Sequence, residues 1–306
     1  MTVLVFLKLE SRLILLIRRG LSEKAGSIYS TVRMKLSFIS PDLELQPYIE
    51  SLWVFQSLNG LPEADHSMAA PNGCPKLIFL CENGLVSETN GKVRISSRQN
   101  LDFVGTRDCS VRLQASPRKT SFIGIEFFPH GAFPVLGIPM SELCNEVWEF
   151  SVLFGKWGER VREVLINVES TDQKVSFIQK QLIQLLRKNV RENRLIEYCV
   201  KALKSADGRV SVQELERKTG YSRRFLDWLF NERVGLPPKV LAGIFRFQKF
   251  YRRWAEGQSF DLLKCDLYDY YYDQAHFSKE FKKMTGHSPR EFLDISNEFG
   301  RRLTLR

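Results

Sequence analysis

Residues 271–292 read YYDQAHFSKEFKKMTGHSPREF, and the C-terminal fold turns on how this stretch is punctuated. Asp273 can cap a helix that runs through Met284, with Phe277 and Phe281 one turn apart on its back. Thr285-Gly286-His287-Ser288-Pro289 then reads as a stop and a restart. The glycine accepts the left-handed C-cap, the serine caps the next helix and the proline occupies its first turn.

The same grammar occurs upstream. Ser211-Val212-Gln213-Glu214 is a capping box, in which the serine hydroxyl and the glutamate each satisfy an otherwise orphaned amide. The short helix it opens ends at Thr219-Gly220. Ser222 caps a second helix with Phe225, Leu226, Leu229 and Phe230 expected on its back and Arg223 and Arg224 near its start. A short helix, a glycine turn and a second helix make a helix-turn-helix, whose second helix enters a major groove by its N-terminal residues. Gly235-Leu236-Pro237-Pro238 opens a long helix to Trp254, and Asp261–Asp269 is expected as the leading helix of the second unit. A lone unit is a weak signal, because helical hairpins are common in protein cores. Two in tandem with matching caps are specific, and they can address successive grooves roughly 34 Å apart on one duplex.

Charge falls in the same place. Of the 306 residues, 187–306 hold 25 Lys and Arg against 16 Asp and Glu, whereas 1–186 hold 20 against 19. The surplus is thus C-terminal, as a polyanion-binding domain joined to a neutral one requires. The six cysteines form no CxxC pair and the four histidines do not cluster, which leaves little material for a zinc site or a histidine-based catalytic centre.

The N-terminal half suits strands. Leu52–Phe55, Leu77–Leu80 and Phe122–Phe128 are β-rich runs, separated by Asn59-Gly60, Asn72-Gly73, Asn83-Gly84 and Asn90-Gly91. Each Asn-Gly pair favours a type I′ turn, and short strands at this spacing predict a small β-barrel or sandwich. Pro129–Pro139 is expected to be irregular. The stripe Val175, Ile178, Leu182, Leu185 and Leu186 marks a helix over Asp172–Asn189, packed on its own domain or serving as a dimer seam. Residues 1–33 are apolar but interrupted by Lys8, Glu10 and Arg12, far short of the roughly 20 clean residues a bilayer span needs. They read as an added helix or strand, or as an over-long gene start with Met34 the true one.

With these residues on the page, Gly220–Gly235 (GYSRRFLDWLFNERVG) and Tyr271–Phe292 resemble the tandem helix-turn-helix domain of the AraC/XylS family of transcription regulators. Pro71-Asn72-Gly73-Cys74, Val104-Gly105-Thr106 and Ile123–Ala132 resemble, more loosely, the cupin-like sensor domains found ahead of such domains. The resemblance implies an α+β protein divided at 1–33 (extension), 34–165 (β-rich sensor), 166–205 (helical linker or dimer helix), 206–295 (tandem helix-turn-helix) and 296–306 (tail). It implies a bacterial cytoplasmic DNA-binding activator, not an enzyme, with no metal and no cofactor. Its partners would be double-stranded DNA and RNA polymerase, with room for a small-molecule effector and a homodimer and no membrane.

Carried over by position, base-edge contacts are implied for Arg224, Asp227 and Trp228 in the first reading helix and for Gln274, Ala275, Ser278 and Lys279 in the second. Arginine suits guanine and glutamine suits adenine. Arg223, Lys239, Arg246, Lys282 and Lys283 are expected on phosphates, which fix position without reading sequence. Asp266 stands where the family has a small apolar residue and Tyr270 where it has the turn glycine. A degenerate regulator acting through protein contacts, and a small-molecule binder or enzyme with a helical scaffold, therefore stay open. His66, Glu126 and His130 read as structural, and Arg107 and Arg112 are candidates for holding an acidic effector.

Overall fold

Residues 120–127, TSFIGIEF, are buried at every position, and the larger of two sheets is built around them. The computed structural model describes residues 34–61, 66–189, 194–257 and 270–305, so the 1–33 extension and the expected helix at Asp261–Asp269, with Asp266, lie outside the described residues. Among the described residues ten strands follow in order: β1 (Lys35–Ile39), β2 (Ile49–Ser57), β3 (Met68–Ala69), β4 (Lys76–Glu82), β5 (Leu85–Thr89), β6 (Lys92–Ser96), β7 (Leu101–Val104), β8 (Val111–Gln114), β9 (Thr120–Phe127) and β10 (Val147–Glu149). They pair antiparallel as β1-β2-β9-β4-β7-β10 and β3-β8-β5-β6. Central β9 lies between β2 and β4, which explains why it is buried throughout while the edge strand β6 leaves Val93 and Ile95 exposed.

The Asn-Gly expectation holds at one pair. Asn90 (φ +49°) and Gly91 (φ +76°) both take positive φ and close the β5–β6 hairpin at Thr89↔Lys92. The other three pairs have only one residue each in that region, so they turn the chain by other geometries. Pro129–Pro139 is not irregular throughout: α1 (Ala132–Leu136) lies within it and is wholly buried.

Two helices, α2 (Phe150–Asn167) and α3 (Thr171–Lys188), then pack on the β half. Val175, Ile178, Leu182 and Leu185 of α3 belong to the same buried cluster as Leu77, Phe79 and Ile125. The apolar stripe is therefore spent inside the chain and not offered as a dimer seam.

The helical half consists of α4 (Arg194–Ser205), α5 (Val212–Thr219), α6 (Arg223–Val234), α7 (Pro238–Ala255), α8 (Gln274–Thr285), α9 (Pro289–Leu293) and α10 (Glu298–Thr304). Helix α7 has two apolar faces. Leu241, Ala242 and Phe245 join the core of α4, α5 and α6, whereas Ile244, Phe247, Phe250 and Tyr251 join that of α8 and α9. Residues 35–306 make one compact unit, and the stretch read as a tail, 296–306, contains helix α10 with Phe299 and Gly300 buried. Among the described residues no helix is long and apolar enough to cross a membrane.

Candidate nucleic-acid interface

The first unit is assembled by its caps. Ser211 Oγ accepts from Glu214 N at 3.1 Å, and Glu214 returns the bond to Ser211 N at 2.9 Å, which holds the glutamate carboxyl below its usual range. Gly220 ends α5 at φ +76°, a conformation that costs glycine nothing. Ser222 Oγ accepts from Phe225 N at 3.4 Å and starts α6. Leu226, Leu229, Phe230 and Val234 bury the back of α6, while Arg223 and Arg224 are exposed and Trp228 keeps 54% of its surface in solvent.

Phe225, expected on that back, packs at the edge of the same core. It is half-buried, stacked on Tyr221 at 4.7 Å and tilted against Trp228 at 5.6 Å. The spacing 221, 225, 228 follows the helical period and was visible in the sequence. Asp227 sits 3.7 Å from the Arg223 guanidinium, so its charge is partly offset where it would otherwise repel phosphates.

The second unit repeats the pattern. Asp273 Oδ1 accepts from His276 N at 2.7 Å, Gly286 closes α8 at φ +80°, and Ser288 with Glu291 forms a second complete capping box. Phe277, Phe281 and Met284 face inward, Gln274, Ala275 and Lys279 are exposed, and Ser278 is half-buried. Each unit's second helix, α6 and α8, thus presents its N-terminal turns to solvent. The C-terminal ends face the β half: Thr106 Oγ1 donates to Val234 O at 2.7 Å, and Lys283 lies 3.5 Å from Asp108.

The phosphate assignments divide. Arg223, Lys239 and Lys282 are exposed and available. Arg246 is not, because its side chain is only 17% exposed and its guanidinium donates to Gly208 O at 2.9 Å and to Glu280 at 3.2 Å. It ties the turn before α5 to α8 through α7, a structural duty that its spacing on a basic helix concealed. Lys283 is half-exposed but already paired with Asp108, a long-range partner no local pattern reveals.

Tyr270 also departs from expectation. Its hydroxyl accepts from Lys249 Nζ and donates to Asp207 at 3.2 Å, and Arg209 lies over its ring at 5.1 Å. The hydrogen bond that Lys249 donates to Tyr270, first of all, keeps its ammonium above its usual pKa. The tyrosine therefore bridges the two helix-turn-helix units.

In the β half, Glu126 accepts from Asn72 Nδ2 at 2.6 Å, and buried His130 stacks on Phe128, its pKa lowered by burial to about 4. Arg107 Nη1 donates to Thr89 at 2.9 Å, and burial lowers its pKa. Arg112 is on β8, opposite Met68. Cys74, Cys81, Cys109, Cys144 and Cys199 are free thiols.

A family profile described as a domain of unknown function (DUF6597) matches residues 37–149, the β-rich half. No curated protein matches the chain. Among solved structures, ToxT from Vibrio cholerae O395 is similar at 12% identity and a TM-score of 0.40, over 87% of this chain and 98% of that one. ToxT from strain SCE256, solved with an unsaturated fatty acid bound, is similar at 10% identity and a TM-score of 0.42, over 84% and 98%. The Cupin_2 domain of an XRE family transcriptional regulator from Enterobacter cloacae matches 30% of this chain and 94% of its own at 14% identity and a TM-score of 0.21. Likeness at these scores transfers no function.

Proposed function

We propose that this chain is a sequence-specific DNA-binding transcription regulator of the AraC type, without catalytic activity, working in the cytoplasm with double-stranded DNA and RNA polymerase as partners. One observation carries the reading. Two capped helices, α6 and α8, pack on opposite apolar faces of α7 and leave Arg224, Trp228, Gln274 and Lys279 exposed on their leading turns. Arg224 offers two donors to a guanine edge, and Gln274 offers a donor and an acceptor to adenine. The surrounding positive charge supplies the non-specific attraction on which such reading depends. A small-molecule effector acting through the β half belongs to the same reading. Dimerisation through α3 is not part of the proposal, because that stripe is buried.

DNase footprinting of the purified protein on the DNA upstream of its own gene tests the reading. Protection that weakens steeply between about 50 and 200 mM salt is expected. An unprotected upstream region at low salt sinks it.

A further inference from the structure

The smaller sheet of the β half has two unlike edges. At one end β3 is closed off: Asn297 Oδ1 accepts from Met68 N at 2.9 Å and its Nδ2 donates to Met68 O at 3.0 Å, as an adjoining strand would. At the other end β6 pairs, among the described residues, with β5 alone. Lys92–Ser96 keeps an unbroken register there, with neither bulge nor proline, so two of the usual devices that blunt a sheet edge are missing.

Which backbone groups face outward follows from the hairpin. The two-residue Asn90-Gly91 turn makes Thr89↔Lys92 a hydrogen-bonded pair, and in an antiparallel ladder such pairs alternate with unbonded ones. Arg94 and Ser96 are therefore bonded to β5 as Lys92 is, whereas the N–H and C=O groups of Val93 and Ile95 point away from it. Among the described residues no backbone bond from another element reaches those groups. The Val93 and Ile95 side chains share one face of the strand and are 62% and 74% exposed.

A groove of about 550 Å³ borders this edge, with β6 on one side and residues 145–147, at the start of β10, on the other. Its lining holds Lys92, Arg94 and Arg107 against Glu146, and residues 90–101 carry three cations and no carboxylate. Donors and acceptors alternate along the open edge. Another polypeptide backbone satisfies both, whereas the phosphates of a nucleic acid offer acceptors only. Aliphatic side chains on one face call for aliphatic neighbours, and the cations call for carboxylates. A second β6 would bring like charges to the same place, and residues 1–33 hold six Lys and Arg against two Asp and Glu, so neither complements this edge.

We propose that β6 is a docking edge for another protein, taken up by an extended segment that alternates acidic and β-branched residues and adds a fifth strand to the smaller sheet. Its carboxylates lie by Lys92 and Arg94, and its aliphatic side chains cover Val93 and Ile95. Nothing in this inference depends on DNA binding, so the failure of either reading leaves the other untouched.

The probe is a nine-residue peptide of alternating glutamate and valine, blocked at both ends. Its binding to the full chain is followed by fluorescence anisotropy and by amide exchange of residues 92–96. A glutamate–glycine peptide of equal charge and a lysine–valine peptide are the controls. In the free chain the Val93 and Ile95 amides are expected to exchange quickly and those of Arg94 and Ser96 slowly. Saturation with the glutamate–valine peptide should slow the first pair at least tenfold, and that peptide should bind at least tenfold more tightly than either control. Val93→Pro removes one outward donor and spares the bonds to β5, since proline is tolerated where an edge N–H faces solvent. It should weaken the peptide at least tenfold. Lys92→Glu should do the same with the backbone intact, which keeps the test decisive if the proline variant does not fold. Val93 and Ile95 amides already protected in the free chain would mean that the chain, or a second copy of it, covers its own edge, and would overturn the proposal. So would equal binding of either control, a bound peptide that leaves those amides fast, full affinity in the folded variants, or no binding at all.

Discussion

At the residue scale, exposure separates side chains that can read DNA from those that only resemble readers. Arg224 and Arg246 are both arginines on helices of a basic domain. The first is exposed at the start of α6, whereas the second is fixed by Gly208 O and Glu280. Spacing alone cannot tell them apart, because a helix surface repeats every few residues and the partner that captures Arg246 comes from another helix. If Arg224 meets a guanine edge, Arg224→Ala costs about 1–3 kcal/mol on the protected site, roughly five- to 150-fold in affinity, and relaxes the preference at that base pair. Lys239→Ala removes a phosphate contact instead, so it weakens binding to all sequences alike and lowers the salt slope by about one. Quantitative footprinting on the natural site and on single-base variants checks both. Equal losses on every variant for Arg224→Ala would place that side chain on the backbone.

At the scale of elements, the caps were the most legible part of the sequence. Ser211, Ser222, Asp273 and Ser288 each cap the helix their patterns announced, since a cap is decided by four adjacent residues. Less legible was what bridges elements. Tyr270 stands where the family resemblance leads one to expect a turn glycine, and the sequence suggests strain or degeneracy there. In the fold it joins Lys249 of α7 to Asp207 of the turn before α5, with Arg209 over its ring. The contact with Asp207 spans 63 residues and that with Lys249 spans 21, so no local pattern could disclose them. A degenerate regulator would gain DNA affinity from Tyr270→Gly. The geometry predicts the reverse: Tyr270→Phe lowers stability by about 1 kcal/mol through its lost hydroxyl bonds, and Tyr270→Gly by about 3 kcal/mol with loss of the ring as well. Denaturant titration reads the stability, and a DNA affinity that rises in the glycine variant would count for degeneracy.

At the scale of the whole molecule, the β half holds the C-terminal ends of both reading helices and leaves their leading turns free. The sequence foretold a β-rich half followed by a helical one, but not this docking, nor the return of α10 to the β half, because both depend on contacts between residues far apart in the chain. Docking has a consequence for DNA. Lys283 cannot serve a phosphate and Asp108 at once, and at 3.5 Å with both side chains partly exposed the pair is worth only about 0–1 kcal/mol. Asp108→Asn is therefore expected to raise affinity for the protected site by no more than about fivefold and to steepen the salt dependence by just under one ion. Removing any acidic group from a DNA-binding protein can raise affinity through the general field, so the double variant with Lys283→Ala carries the distinction. If the gain comes from releasing Lys283, Asp108→Asn adds nothing once Lys283 is gone. A gain of equal size in that background would mean that Asp108 acts at a distance and that the docked contact does not restrain the second reading helix.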